Sequence, residues 1–107
     1  MRALIPKPLM KLMEELYDEE GALLLGKILG ESIVLEGMAF TPCEVWERGF
    51  ECLPYPMEDL IGVFHKHREE PSERDLRIAT LWPLYVVLSG KGLMCYNYGK
   101  LVEALIV

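Results

Sequence analysis

An α/β domain with a mixed, mostly antiparallel sheet and two main helices is what this sequence predicts, and three observations predict it. Leu9, Leu12, Met13 and Leu16 recur at the i, i+3, i+4, i+7 spacing of a helix face, after a Pro8 suited to a first turn. Short apolar runs bounded by glycine, proline and acidic turn residues fill most of the remaining chain, as strands do. At 107 residues, the chain is long enough for one domain, spanning 1–107, around a single modest core.

The elements follow in order. The first helix keeps Glu14 and Glu15 toward solvent and stops before Gly21. Ala22 to Leu25 is a continuously apolar strand, Gly30-Glu31-Ser32 is turn chemistry, and Ile33 to Phe40 returns as the second strand of a hairpin. Thr41 to Trp46 continues the sheet. Gly49 to Asp59 carries Pro54, Tyr55 and Pro56 and reads as a loop or flap. Ile61 to His67 is a strand, and Ser72 to Leu81 a helix stopped by Pro83. Leu84 to Leu88, Met94 to Tyr98 and Leu101 to Val107 are strands separated by Gly90-Lys91-Gly92 and Gly99-Lys100. No repeat, low-complexity segment or linker interrupts them.

Composition narrows the partners. Seventeen acidic residues against eleven basic ones leave a net charge of −6, which argues against nucleic acid or an anionic membrane as the main partner. The 51% apolar content is high for so small a domain. A homodimer is therefore expected, with the N-terminal helix as its contact. The start of the chain, broken by Pro6 and followed by Lys7 and Lys11, lacks the apolar run of a signal peptide. The longest uncharged run, Ile78 to Gly90, has 13 residues, against the roughly 20 needed to span a bilayer. Three cysteines, Cys43, Cys52 and Cys95, show no metal-site spacing, and their odd number fits a reducing cytoplasm. A Cys43–Cys52 disulfide stays open. The chain has no Gln and one Asn, Asn97, a depletion that points to a hot-adapted source.

The chemistry concentrates at His65-Lys66-His67 and Pro71-Ser72-Glu73-Arg74-Asp75. Side chains on a strand alternate faces, so His65 and His67 point one way and Lys66 the other. Asp75 falls in the first turn of the next helix, where the chain can fold back toward the histidines. Two imidazoles and a carboxylate make a three-ligand set of the kind that leaves a fourth zinc position for water. Hydrolysis also needs a base, and Asp18, Glu19 and Glu20 lie where a sheet can bring them beside the histidine strand; spacing does not choose among them. Simpler readings exist for the same residues. Ser72 is a good helix N-cap with acidic residues behind it, Glu69-Glu70, Arg74 and Arg77 are solvated charges, and Trp46 and Trp82 are core.

Taken together, these residues resemble the JAMM (MPN-plus) metalloproteases, which remove ubiquitin and ubiquitin-like proteins from their targets. That family shows a glutamate ahead of a Gly-Leu-Leu-Leu-Gly-like strand, then Gly-x-x-His-Ser-His, then Pro-Ser-x-x-Asp. Here Gly26 closes Ala22-Leu23-Leu24-Leu25-Gly26, and seven residues before it stands Glu19. Gly62-Val63-Phe64-His65-Lys66-His67 and Pro71-Ser72-Glu73-Arg74-Asp75 supply the rest, and Cys95-Tyr96-Asn97 resembles a late strand of small archaeal members. Lys66 stands in place of the usual serine and Arg68 in place of the usual proline. Only four residues separate His67 from Ser72, a shorter loop than is general in the family.

The resemblance implies a curved sheet, mixed but mostly antiparallel and flanked by helices, of the cytidine-deaminase-like kind. It implies one zinc per chain held by His65, His67 and Asp75. Glu19 would then position and deprotonate the attacking water, and Ser72 would donate to the oxyanion. The partner would be a ubiquitin-like modifier and its lysine conjugates, with the modifier's extended C-terminal tail lying along Glu51 to Leu60. Leu53 and Tyr55 are the contact residues expected there. Processing of the C-terminus of a sulfur-carrier or ubiquitin-like precursor is the related alternative, and a non-catalytic scaffold the alternative of another class.

Overall fold

Among the described residues, nine strands and two helices follow one another as β1 (Arg2–Ile5), α1 (Lys7–Glu15), β2 (Gly21–Leu29), β3 (Ser32–Ala39), β4 (Glu44–Trp46), β5 (Gly49–Glu51), β6 (Leu60–Lys66), α2 (Glu73–Ala79), β7 (Leu84–Ser89), β8 (Gly92–Asn97) and β9 (Lys100–Ile106). The computed structural model describes residues 1–40, 44–46, 49–51, 59–68 and 71–107, with β4 and β5 described by backbone alone. Leu53, Tyr55, Cys43 and Cys52 lie outside the described residues.

Seven strands close into a barrel in the order β1-β3-β2-β6-β7-β8-β9. Four neighbouring pairs are antiparallel: β2 with β3 and β6, β8 with β7 and β9. Three are parallel: β1 with β3 and β9, and β6 with β7. The mixed, mostly antiparallel sheet of the sequence reading is present, but it is closed rather than merely curved. The closing strand is β1, in a stretch that the sequence reading left without structure. Both of its pairings are parallel and reach distant residues, Ser32–Val34 and Glu103–Ile106, so no turn beside it signals a strand.

Two further expectations are corrected. Of the run Thr41 to Trp46 the described residues are Glu44–Trp46, which pair with Gly49–Glu51 in a separate two-stranded sheet rather than continuing the main one. The second of these strands falls inside the segment read as a loop. Three residues each are too few for a period-2 pattern to stand out. Elsewhere the predicted strands and helices sit where expected, with ends shifted by a few residues; β2 runs on through Gly26 to Leu29.

Alternation divides the core in two. Ala3, Ile5, Leu24, Ile33, Leu35, Phe64, Leu84, Val86 and Cys95 face a common interior. Helix α1 adds Met13, fully buried, with Leu9 and Leu16 packed against the same cluster. Most of the apolar face of α1 thus packs into the core. On the opposite face of β6, β7 and β8, Val63, Tyr85, Val87 and Tyr96 meet Ile78 and Ala79 of α2. Glycine is required where strands approach most closely: a Cβ at Gly62 would stand 1.6 Å from the Leu84 carbonyl oxygen, and one at Gly26 would stand 2.0 Å from that of Val34. Among the described residues no helix is long and apolar enough to cross a membrane.

Candidate metal centre

The face of β6 that carries Val63 carries His65 and, just past the strand end, His67. Parallel pairing with β7 continues to Lys66 opposite Leu88, and the His67 amide donates to the Leu88 carbonyl at 2.8 Å. That bond keeps His67 in strand-like register, so the two rings share one side, 5.3 Å between centroids and nearly perpendicular.

Helix α2 brings Asp75 to the same place. Ser72 is its N-cap, and the cap is reciprocal: the Asp75 amide donates to Ser72 Oγ at 3.2 Å, while the Ser72 amide and hydroxyl each donate to Asp75 Oδ2 at 2.9 Å. The cap fixes where the carboxylate points, which is onto the histidines. His65 Nδ1 lies 2.9 Å from Asp75 Oδ1, and His67 Nε2 lies 3.5 Å from Asp75 Oδ2. The simpler reading of Ser72 as a helix cap and the reading of Asp75 as a ligand therefore describe one arrangement.

Glu19 enters from the bend between α1 and β2. Its backbone is left-handed, φ 68°, a conformation that a non-glycine residue keeps only when its surroundings hold it. Its Oε2 lies 3.3 Å from His65 Nε2 and its Oε1 4.0 Å from His67 Nδ1, with the side chain 58% exposed. Glu20 turns away from this cluster and accepts from the Tyr17 amide at 2.9 Å. Asp18 pairs with Arg68 at 3.3 Å. Of the three carboxylates between α1 and β2, Glu19 is the one beside the histidines. What separates them is the left-handed bend at Glu19, which spacing along the chain does not reveal.

The electrostatics favour an ionised carboxylate at the centre. Burial pushes the Asp75 carboxyl up, but hydrogen bonds from His65, Tyr85 and Ser72 outweigh it and hold the group well below the ordinary carboxylate range. Burial pulls His65 down, and the hydrogen bond and charge of Asp75, then the charge of Glu19, raise it above its ordinary value. The geometry explains the direction, since a carboxylate faces each ring nitrogen and only the protonated ring donates to both.

Two participants were missed. Tyr85 of β7 is fully buried and donates its hydroxyl to Asp75 Oδ1 at 2.7 Å; a single polar-tipped ring in an otherwise apolar strand was the signal. Lys66, read as pointing away, does so, but reaches the end of α1, donating from Nζ to the Glu14 and Leu16 carbonyls at 2.7 and 2.6 Å. Beside His67 an open cleft of about 340 Å³ runs between Glu14, Asp18 and Arg68 on one side and Leu88 to Gly90 on the other.

Among the described residues no three His, Cys, Asp or Glu side chains already stand around a common point as metal ligands do. Here they are hydrogen-bonded to one another instead. The donor chemistry fits zinc all the same: two imidazoles and a carboxylate that stays ionised, backed by Tyr85 and Ser72 as outer partners.

No family model matches the sequence, and no curated protein matches it significantly. Among solved structures, a JAB1/MPN domain protein from Archaeoglobus fulgidus superposes with a TM-score of 0.60 at 21% identity, over 100% of this chain and 99% of that one. The chain has the JAB1/MPN domain fold.

Proposed function

We propose that the chain is a zinc-dependent isopeptidase that releases a ubiquitin-like modifier from lysine conjugates. The observation that carries this reading is the meeting of Glu19, His65, His67 and Asp75, from three separate elements, within 4.0 Å of one another in successive contacts. His65, His67 and Asp75 would hold one zinc. A zinc so held would supply Lewis acidity and make the attacking water more acidic. Glu19, more than half exposed, stands where water reaches it and accepts a proton from the attacking water. The water oxygen adds to the carbonyl carbon of the modifier's terminal residue. The C–N bond then breaks, and Glu19 returns the proton to the departing lysine amine. Ser72 is the oxyanion donor in this scheme. Its hydroxyl proton here points to Asp75 Oδ2, so it has to turn to serve. Removing such a donor typically costs roughly 3–4 kcal/mol of transition-state stabilisation.

The modifier's tail is proposed to lie along Glu51 to Leu60, touching Leu53 and Tyr55. Cytoplasmic location and a homodimer belong to the same proposal. The related alternative is C-terminal processing of a sulfur-carrier or ubiquitin-like precursor, and a panel of conjugates and precursors separates the two. A non-catalytic scaffold is disfavoured because Glu19, His65, His67, Ser72 and Asp75 are all present. The deciding experiment incubates purified protein with a lysine conjugate of a ubiquitin-like protein, with zinc and with chelator, alongside elemental analysis. One zinc per chain and chelator-sensitive release are expected. Full-rate cleavage by metal-free protein would overturn the mechanism.

A further inference from the structure

We propose that Lys66 is a positioning residue for Glu19, gripping the bend between α1 and β2 from both ends; this rests on the reading of Glu19 as the base. Strand alternation sends the Lys66 side chain to the face opposite His65, where α1 ends. Its Nζ donates to the carbonyls of Glu14 and Leu16 at 2.7 and 2.6 Å. Those carbonyls belong to the last turn and C-cap of α1, which has no basic residue of its own in that turn. A cation is favoured there by the unpaired carbonyls and the helix dipole. The backbone of the same residue holds the far side of the bend: the Lys66 carbonyl accepts from the Glu19 amide at 2.7 Å, and the Lys66 amide donates to the Glu20 carbonyl at 2.9 Å.

One residue therefore fixes both the entry to the bend at Leu16 and its exit at Glu19 and Glu20. Only Tyr17 and Asp18 lie between. Within this span Glu19 keeps its left-handed backbone, a conformation that must be held from outside. Because Lys66 stands between His65 and His67, one tripeptide places two candidate ligands on one face and anchors the candidate base from the other. A serine here, as in the resembled family, ends at its γ oxygen and lacks the reach of the lysine stem. In this chain the lysine side chain adds a tether to what the backbone bonds supply.

The test compares wild type with Lys66→Met, which keeps most of the stem, Lys66→Arg, which keeps the charge, Glu19→Gln, and the Glu19→Gln/Lys66→Met double variant. Lys66→Met should lower kcat about tenfold or more while KM and zinc content stay near wild type, and Lys66→Arg should recover most of the loss. The double variant should be no slower than Glu19→Gln alone, since a tether for an absent base has nothing to position. In metal-free protein, amide exchange over residues 17–20 should speed up roughly tenfold in Lys66→Met while the melting temperature shifts little. An unchanged kcat, a loss that tracks lost zinc, a double variant slowed by the product of the two single effects, or unchanged exchange would each overturn the proposal. If the wild type cleaves no conjugate, the functional reading fails by itself. The exchange measurement then decides the tether alone, faster exchange upholding it and unchanged exchange refuting it.

Discussion

Asp75 is the charged residue on which the site turns. Its carboxylate is buried, 3% exposed, and receives the Tyr85 hydroxyl, the Ser72 amide and the Ser72 hydroxyl while facing both histidines. A buried charge is tolerable only when so surrounded. Removing the Tyr85 hydroxyl should loosen the Asp75 carboxylate without removing it. Tyr85→Phe is expected to fold and to bind zinc roughly 10–100-fold more weakly, the usual scale for an outer-shell partner, as read by competition with a chromophoric chelator. Glu19→Gln should separate the base from the ligands. It is expected to retain one zinc and the wild-type melting temperature while losing roughly 10²–10⁴-fold in rate. Loss of zinc in Glu19→Gln would instead make Glu19 a ligand.

At the scale of elements, the decisive contact is the parallel pair β6–β7. It places His65 opposite Val87 and lets Tyr85, two positions back on the α2 side, reach Asp75. The pair is tight at Gly62, where a Cβ would collide with the Leu84 carbonyl. Gly62→Ala is expected to cost about 3 kcal/mol or more, because backbone rather than a flexible side-chain tip has to move. Denaturant titration checks it. An Ala variant as stable as wild type would show that β6 and β7 separate easily. Helix α2 shows how much of the site is local: Ser72 and Asp75 are three residues apart, and their capping box both starts the helix and aims the candidate ligand.

At the scale of the whole molecule, the hydrogen-bonded cluster makes the stability of the metal-free protein depend on pH. Asp75 titrates below its ordinary 3.8 when folded, so its contribution is present above that value and is lost as pH falls through the folded pKa. His65 titrates above its ordinary 6.5 when folded, so its contribution is full below 6.5 and is lost as pH rises through the folded pKa. The metal-free melting temperature should therefore be highest between about pH 4 and 6.5, with the dependence flattened in a Asp75→Asn/His65→Gln variant. Zinc affinity should run the other way on the basic side, rising with pH as His65 gives up its proton. Association is the other property of the whole. The inward face of α1 is part of the core, and Leu81, Tyr98 and Leu101 stand exposed at 57%, 59% and 59%. A homodimer at micromolar concentration is the expected result of light scattering, and a lone 12.3 kDa species would refute it.

Local chemistry made much of this protein legible in the sequence. The histidine pair follows from strand alternation, Asp75 from a helix cap three residues long, and the β2–β3 hairpin from the turn at Gly30-Glu31. Each depends on residues a few positions apart. The tertiary structure decided what links distant segments. The barrel closes through β1, whose parallel partners lie about 30 and 100 residues away and leave no turn to read. Glu19 faces His65 because of a left-handed bend rather than a period-2 alternation, and Lys66 reaches α1 across roughly 50 residues of chain. Tyr85 looks like any strand aromatic until α2 packs over it and its hydroxyl meets Asp75. A sequence pattern records what a side chain prefers nearby; only the closed sheet determines which groups lie within hydrogen-bonding distance.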